Sequence, residues 1–397
     1  MNTKVPIWIL KIISISIGFS GTFFILELCA RILPASEYLF SELPLSCKDP
    51  INPDKNCIFR RASNRKTRFT KGKFPPFSHN TFKSTNDIGQ FSNFDFKDIR
   101  FERNNFQNVL TIGDSFVEAI QIPNEDTFHG RLNLYETNSG NTLISTSIGS
   151  SGNAFPQYLI HIFYAKKNID LQSTILIIPI IVNDFDESLE KYLIHSGAFF
   201  TSEDPFKIGF KERILSNEIK LKRTFISISA LSRYLYFNIN FYKTLNFSLC
   251  KLKIKNCDNF KNLGSNLAYS SEKSQQEKFQ NTKISSDVFL DYLKNIRTTK
   301  SEKNKTLFIL DTHRKNIYNS KSNRDYYFDL QKRYFIKQAK NIGFKVIDMD
   351  KIFRNHYRIN GNRFEFINDG HWNSIAHEII TDQIANIYNL QKIKNSK

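Results

Sequence analysis

The chain has 397 residues, of which 40% are hydrophobic and 24% are charged. This composition is that of a folded protein with more than one structural unit, and it excludes a chain that is disordered throughout. With 15 Gly and 11 Pro, a collagen-like or proline-rich chain is also excluded. The formal net charge of +18 would suit an anionic partner such as nucleic acid, acidic glycan or lipid head groups. Because the lysines are spread out and form no compact basic stripe with aromatic residues, we expect solvated basic faces and no nucleic-acid partner.

The first predicted element is a transmembrane anchor over residues 5–28, where Lys11 and Glu27 are the charged residues. A helix of about 20 apolar residues crosses a bilayer core, and a lysine near its end can reach the interface. A cleaved signal peptide would have about 7–15 apolar residues and then a small-x-small cleavage site. Here the sequence ELCARIL follows the apolar run. We therefore predict an uncleaved single span, with a buried helix of a soluble domain as the other alternative.

The cysteines bear on which side of the membrane the rest of the chain lies. Basic residues on the two sides of the anchor nearly balance, so the positive-inside rule does not decide the orientation. Two close pairs flank polar loops, Cys47 with Cys57 and Cys250 with Cys257. Such pairs are typical of disulfides and of an oxidising compartment. Free thiols and a zinc site are the alternatives, although the spacings fit no usual finger. We predict that the globular part of the chain lies on the periplasmic or extracellular side and binds no metal.

Residues 30–105 are polar and contain several prolines, so we predict a stalk or lead-in segment there. From 106 to 392, short apolar runs alternate with helical patterns, which predicts an α/β domain with a parallel sheet. The predicted strands are 108–113, 141–149, 173–182, 306–313 and 343–349, and the predicted helices lie near 124–137, 154–167, 324–341 and 373–390. The stretch 187–285 breaks this rhythm, and we predict a helical and polar insertion with helices at 206–222 and 224–244.

The first candidate functional segment is Gly113-Asp114-Ser115-Phe116, directly after the first predicted strand of this domain. Parallel α/β sheets bind ligands at the carboxyl ends of their strands. A serine at the start of the following helix would also lie beside backbone amides that stabilise developing negative charge. The alternative is that the Asp-Ser turn only caps the helix.

Three further segments follow at the ends of later predicted elements: Ser150-Ser151-Gly152-Asn153, Val182-Asn183-Asp184, and Asn368-Asp369-Gly370-His371-Trp372-Asn373. Each has a structural alternative, because Gly152 can serve a turn, Asn183 can cap a strand end and His371 can sit beside a helix cap. A serine first and a histidine last, with a glycine and an asparagine between them, together favour one catalytic site.

In this order the four segments resemble the blocks of the SGNH/GDSL hydrolase family: Gly-Asp-Ser, a glycine, Gly-x-Asn-Asp and Asp-x-x-His. The resemblance covers about 108–186 and 305–385. It implies a flavodoxin-like three-layer α/β sandwich and no cofactor. It also implies Ser115 as nucleophile, His371 as base, and an oxyanion hole formed by Ser115, Gly152 and Asn183.

The sequence departs from the family pattern at two places. Ile181-Val182 replaces the usual glycine context before Asn183, and Asp369 lies two residues before His371 instead of three. Asn368 occupies the usual position of the acid. The Asp-Gly-His-Trp version is similar to that of family members that act on cell-surface polysaccharides, the alginate- and peptidoglycan-acetylating relatives. We predict Asp369 as the catalytic acid, with Asn368 as the open alternative.

Three functions are compatible with these residues. The first is serine-dependent ester hydrolysis or acyl transfer on O-acyl groups of envelope carbohydrate, with a small-molecule or carbohydrate ester as substrate. The second is a catalytically silent glycan- or lipid-binding module on the same fold, which the intact Ser115, Asn183 and His371 disfavour. The third is a phosphate- or nucleotide-binding protein, which would be expected to carry GxxxxGK[ST] or GxGxxG after a strand.

Overall fold

The structure is a computed structural model that describes residues 6–33, 35–37, 47–54, 57–58, 61–72, 79–100, 104–192, 197–201, 204, 207–211, 217–239, 241, 274–318, 326–366 and 369–393. The chain divides into two compact units. The first is drawn from Met1–Phe40, Thr67–Phe82 and Leu215–Cys257, and the second from Ser41–Lys66, Lys83–Ile214 and Asp258–Lys397.

The first unit is built around the N-terminal helix Ile7–Ile32, which is long and apolar enough to cross a membrane. The predicted anchor 5–28 is therefore found as one such helix, displaced toward residue 32. The other elements of this unit are strands β1 (Lys66–Lys71) and β2 (His79–Ser84), helices Asn217–Ile228 and Ala230–Arg233, and a π-helical turn at Tyr234–Asn238.

The second unit contains a seven-stranded sheet. Its strands are β3 (Phe106–Gly113), β4 (Tyr135–Glu136), β5 (Thr142–Gly149), β6 (Ile175–Ile180), β9 (Thr306–Leu310), β10 (Lys345–Asp348) and β13 (Gln391–Lys392). They lie in the order β10-β9-β6-β3-β5-β4-β13. Two hairpins accompany it: β7 (Gly197–Phe200) with β8 (Ile208–Lys211), and β11 (Glu365–Phe366) with β12 (Asp369–Trp372).

The five central strands pair in parallel, in the flavodoxin-like order 2-1-3-4-5. The predicted α/β class is thus confirmed. The sheet is mixed and not wholly parallel, because the short edge strands β4 and β13 pair antiparallel. These two-residue strands carry no apolar run, so the sequence pattern gave no signal for them.

Helices cover both faces of the sheet, since alternate side chains of the central strands enter two separate cores. On β3, Leu110 and Ile112 join one core and Val109 joins the other. The first core includes side chains of helices Phe155–Asn168, Gln275–Ile296 and Tyr326–Ile342. The second includes side chains of helices Phe128–Arg131, Met349–Asn360 and Ser374–Tyr388. The result is the predicted three-layer sandwich.

Three segments differ in detail from the sequence-based expectation. The region 30–105 contains β1, β2 and the short helix Phe96–Ile99. Apolar residues of these elements are buried, namely Phe69 on β1 and Phe96 and Ile99 on the helix. The helix predicted near 124–137 is broken into short turns, since Thr127 Oγ1 donates to Asn124 O and accepts from Gly130 N.

The predicted insertion 187–285 also ends earlier than expected. Helix Gln275–Ile296 begins inside that range and belongs to the sandwich, because Phe289 stacks on Phe155 with ring centroids 4.6 Å apart. The helices expected at 206–222 and 224–244 have other boundaries. Strand β8 occupies Ile208–Lys211, one helix spans Asn217–Ile228, and Ser229 caps a further helical segment from Ala230 to Asn238 by accepting from Ser232 N.

The structure joins Cys47 and Cys57 in a disulfide bond, and Cys29 is a free, exposed thiol. The predicted partners Cys250 and Cys257 lie outside the described residues, so their pairing stays a prediction. Both halves of the Cys47–Cys57 bond are buried against the sandwich core.

Candidate active site

Ser115 lies where the first central strand ends and a short helix begins. Strand β3 ends at Gly113, and helix Ser115–Glu118 starts two residues later. Asp114 caps this helix by accepting a hydrogen bond from Phe116 N at 2.9 Å. A Cβ on Gly113 would lie 2.4 Å from Val117, so this turn requires glycine. The serine is half-buried at the carboxyl edge of the sheet, beside the reversal in strand order.

The serine hydroxyl has a hydrogen bond to the carboxyl group of Asp114. Ser115 Oγ donates to Asp114 Oδ2 at 3.5 Å, which is a weak hydrogen bond. Burial raises the pKa of Asp114 to about 6, while the hydrogen bond from Phe116 N and the nearby His371 act against that rise. Among the described residues, Ser115 Oγ forms no hydrogen bond with His371, although such bonds commonly form only when substrate is bound.

His371 and Asp369 form a hydrogen-bonded pair on strand β12. Asp369 Oδ1 accepts from His371 Nδ1, and it also accepts from His371 N at 3.2 Å. A carboxylate can only accept, so Nδ1 carries the proton and Nε2 is left as the basic nitrogen. The second oxygen of Asp369 accepts from Gln121 Nε2 at 3.1 Å. The carboxylate is therefore held at both oxygens, and the imidazole is held by the carboxylate.

Aromatic packing brings this pair to the serine. The His371 ring lies 4.8 Å from the ring of Phe116, the residue that follows Ser115. Trp372 packs edge-on to Phe116 at 5.0 Å and is almost completely buried. Its indole Nε1 donates to Asp311 Oδ1 at 3.0 Å, just beyond the end of β9. Trp372 thus fixes hairpin β11–β12 against the sheet edge where Ser115 lies.

Asn183 follows strand β6, the neighbour of β3 in the sheet, and starts helix Asp184–Glu187. Its side-chain Nδ2 donates to Glu187 Oε2 at 2.7 Å. An amide nitrogen has two hydrogens, so one remains for a ligand while the other fixes the side chain. Burial raises the pKa of Glu187 to about 7, and the hydrogen bond from Asn183 works against that rise.

Gly152 lies in the turn after strand β5, with a φ of +82° that favours glycine. Apart from its own atoms and its two chain neighbours, nothing among the described residues lies within 4 Å of where its Cβ would be, so the turn is open on that side. Its neighbour Ser151 is held through both N and Oγ, which donate to Glu118 Oε2 at 3.1 and 2.6 Å. Glu118 also pairs with Arg61. The helix that carries Ser115 is thereby tied to the turn that carries Gly152.

A cavity of about 320 Å³ opens beside these residues. Asn183 and His371 both line it, together with Phe116, Ile181, Val182, Asp311, Thr312, His313, Arg314, Phe328 and Gly370. Ser115 and Gly152 do not line this cavity. Phe116, the residue directly after Ser115, does. Asn368, the alternative acid, lies outside the described residues.

Sequence reasoning missed the supporting residues Gln121, Glu118 and Asp311, all distant in sequence from the groups they hold. Glu187 could have been found, since the spacing Asn-x-x-x-Glu places both side chains on one helical face. Among the described residues, no cluster of His, Cys, Asp and Glu has the arrangement of a metal site.

No family model matches the chain, and no curated protein matches it. Several solved structures are similar at low identity. They include an α/β hydrolase, LAE5, from the metagenome of Lake Arreo (11% identity, TM-score 0.36, 72% of this chain and 97% of that one). A G-D-S-L lipolytic family member from Veillonella parvula has 9% identity and a TM-score of 0.35, covering 71% and 98%. The acetylxylan esterase Axe2 from Geobacillus stearothermophilus has 9% identity and a TM-score of 0.37, covering 73% and 97%.

Proposed function

We propose that the protein is a membrane-anchored serine esterase or O-acyltransferase that acts on O-acyl groups of envelope carbohydrate. The observation that carries the proposal is the Asp369–His371 pair, which packs against the residue next to Ser115 at the ligand-binding edge of the sheet. A serine, a histidine with its Nδ1 on a carboxylate, and an amide donor beside a cavity are the parts that acyl transfer needs.

In the proposed reaction Ser115 Oγ turns from Asp114 toward His371 and attacks the ester carbonyl carbon. His371 Nε2 takes the hydroxyl proton as the C–O bond forms, and Asp369 stabilises the resulting imidazolium. The imidazolium then gives that proton to the departing alcohol oxygen as the ester bond breaks. An acyl-serine remains, and the histidine is again neutral.

The tetrahedral intermediate carries a negative oxygen that needs hydrogen-bond donors. We assign this role to the backbone N–H groups of Ser115 and Gly152 and to the second Nδ2 hydrogen of Asn183. Each such donor is worth about 3 kcal/mol, or roughly a hundredfold in rate. The tie between Glu118 and Ser151 keeps the Gly152 amide positioned for this task.

Deacylation determines whether the enzyme is a hydrolase or a transferase. Water or a sugar hydroxyl would give its proton to His371 Nε2 and attack the acyl carbon. As the acyl–oxygen bond to Ser115 breaks, the imidazolium returns that proton to Ser115 Oγ, and the free serine and neutral histidine are restored. The carbohydrate assignment rests on the resemblance of the Asp-Gly-His-Trp segment to polysaccharide-acetylating relatives. Helix Ile7–Ile32 supports the membrane location. The Cys47–Cys57 disulfide supports a compartment outside the cytoplasm, where such bonds are typical.

The test is an activity assay on the full-length chain in detergent, with O-acetylated sugars and aryl acetates as substrates. Acetate release with water alone supports the esterase, and acetyl transfer to an added glycan at the expense of acetate release supports the transferase. A folded protein that binds acetylated glycan and turns over none of these esters would overturn the proposal in favour of a silent binding module.

A further inference from the structure

Helix Asn217–Ile228 in the first unit carries an apolar face that the described protein residues leave uncovered. Leu221, Phe225 and Ile228 are 60%, 54% and 62% exposed. Their spacing of four and three residues places them on one side of the helix. Ile226, on another side, is buried within the unit. A helix normally packs its apolar stripe and exposes its polar side, so this exposed face calls for an apolar surrounding.

The helix is fixed to the membrane helix of the same unit. Arg31 Nη2 donates to Ile228 O at 3.3 Å, which ties the end of the exposed face to the end of helix Ile7–Ile32. The two residues that follow Ile228 are also bonded to the membrane helix: Glu27 accepts hydrogen bonds from Ser229 Oγ at 2.8 Å and from Ala230 N at 3.0 Å. Glu27 is also paired with Arg31 at 2.9 Å.

The depth of this junction follows from helix length. Helix Ile7–Ile32 has 26 residues. It is therefore about 39 Å long at about 1.5 Å per residue, against about 30 Å of hydrocarbon core. If the excess is shared between its two ends, the core boundary lies near residue 29. The Glu27–Arg31 pair then straddles that boundary, where a carboxylate with several donors and a partner is tolerated.

We infer that helix Asn217–Ile228 lies in the interface of the bilayer that helix Ile7–Ile32 spans, with Leu221, Phe225 and Ile228 facing the acyl chains. This inference rests on the proposed membrane anchoring. Lys220 and Lys222 are exposed, and they flank the apolar face at about 100° to either side. Lysines in those positions suit anionic lipid head groups, as in interfacial helices generally.

Lipid is favoured over a protein partner because the face is continuous with the membrane helix. Ile32 and Ile228 are both strongly exposed at the two helix ends that Arg31 joins. This apolar face adjoins a membrane-spanning helix and has lysines on its flanks. The bilayer is therefore the apolar surrounding that lies next to it. The functional result is a fixed orientation of the first unit at the membrane surface.

The test uses the full-length protein reconstituted in vesicles of phosphatidylcholine and phosphatidylglycerol. p-Benzoylphenylalanine replaces one residue at a time: Phe225 on the apolar face, Ser227 as the matched exposed control, and Phe19 in the membrane helix, which is 79% exposed. After irradiation, lipid adducts are counted by mass spectrometry. We expect adducts at 225 to approach those at 19 and to exceed those at 227 by about fivefold or more.

Equal and low lipid adducts at 225 and 227, with high adducts at 19, would overturn the inference while leaving the anchor intact. Adducts from 225 to a second copy or to another protein would overturn it in favour of a protein partner. Absence of lipid adducts at 19 would show that the anchoring itself is wrong, and the inference would fail with it. Esterase activity is measured on the same samples, so a failure of the proposed enzyme function is registered separately.

Discussion

Asp369 and His371 lie two residues apart on strand β12, and Asp369 Oδ1 accepts a hydrogen bond from His371 Nδ1. Side chains two residues apart on a strand point to the same face. This geometry lets an acid two positions before the histidine reach Nδ1, whereas the family pattern places the acid three positions before it. The departure seen in the sequence is thus compatible with a working acid–base pair.

We expect Asp369→Asn to lower kcat/KM by about 10³–10⁴-fold, because an amide in place of the carboxylate favours the wrong imidazole tautomer. Asn368→Ala is the matched control at the neighbouring position and should stay near the wild-type value. Steady-state hydrolysis of an aryl acetate measures both. A larger loss in the Asn368 variant would transfer the role of the acid to that residue.

Gln121 holds the outer oxygen of Asp369, and we predict that it positions the acid. Gln121→Leu removes the 3.1 Å hydrogen bond and should lower kcat by about 10- to 100-fold, because small misplacements of catalytic groups are costly. The rate should also change in its pH dependence, which a purely structural loss would not cause. Gln107→Leu is the control, since Gln107 Nε2 donates to Asn108 O and Ser173 O, far from the site in the fold. Equal losses in both variants would contradict a positioning role.

Asn183 should contribute one donor to the oxyanion hole. Asn183→Ala is expected to lower kcat/KM about a hundredfold, less than loss of the nucleophile, because two backbone donors remain. Asn168→Ala is the control, since Asn168 Nδ2 only donates to Tyr164 O within its own helix. An unchanged rate in the Asn183 variant would mean that its amide serves Glu187 alone.

Glu187 gives a prediction about stability and pH. Because burial raises the pKa of Glu187 to about 7, the folded state holds this proton at pH values where the unfolded chain has lost it. Its stabilising effect is complete below about pH 4.5 and is lost as the pH rises through about 7. Glu187→Gln has no such loss, so its Tm relative to wild type should rise between pH 5 and pH 8.

Thermal melts of the full chain in detergent at both pH values measure this difference. Glu190→Gln is the control, because it removes a carboxyl group from an exposed position of the same segment. A Glu187→Gln offset that is independent of pH would show that this carboxyl group is not titrating in the window.

The Cys47–Cys57 bond tests the compartment. Peptide mapping without reduction, on protein from its native membranes, should find these two cysteines joined and Cys29 free. Cys47→Ser should lower the free energy of unfolding by about 2–4 kcal/mol. Recovery of Cys47 and Cys57 as alkylated thiols would contradict the extracytoplasmic location. The same mapping shows whether Cys250 and Cys257 are joined, which tests the location a second time.

Strands such as Ile175–Ile180 and Thr306–Leu310 were predictable because they are short apolar runs that a doubly covered sheet buries. The candidate site residues were found through the order of four short segments. The groups that hold them in place were not found. Gln121 reaches Asp369 across 248 positions of sequence, and no local pattern encodes such a contact. The exposure of the apolar face of helix Asn217–Ile228 could not be predicted either, because amphipathic spacing alone does not tell which side of a helix packs against the protein.

The nucleophile and its base should behave as one unit. Ser115→Ala and His371→Ala should each lower kcat by at least about 10⁴-fold, and the double variant should be little worse than either. Thermal melts identify any variant that fails to fold. Additive losses, in which the double variant is far worse than both single variants, would contradict a shared proton transfer.

The most direct test of the account is covalent labelling of the full-length protein with an alkyl fluorophosphonate, followed by intact-mass measurement and peptide mapping. We predict one label per chain, attached to Ser115, with no label in Ser115→Ala and very slow labelling in His371→Ala. A label that maps to another residue, or a folded wild-type protein that takes up no label, would contradict the assignment of Ser115 as the nucleophile.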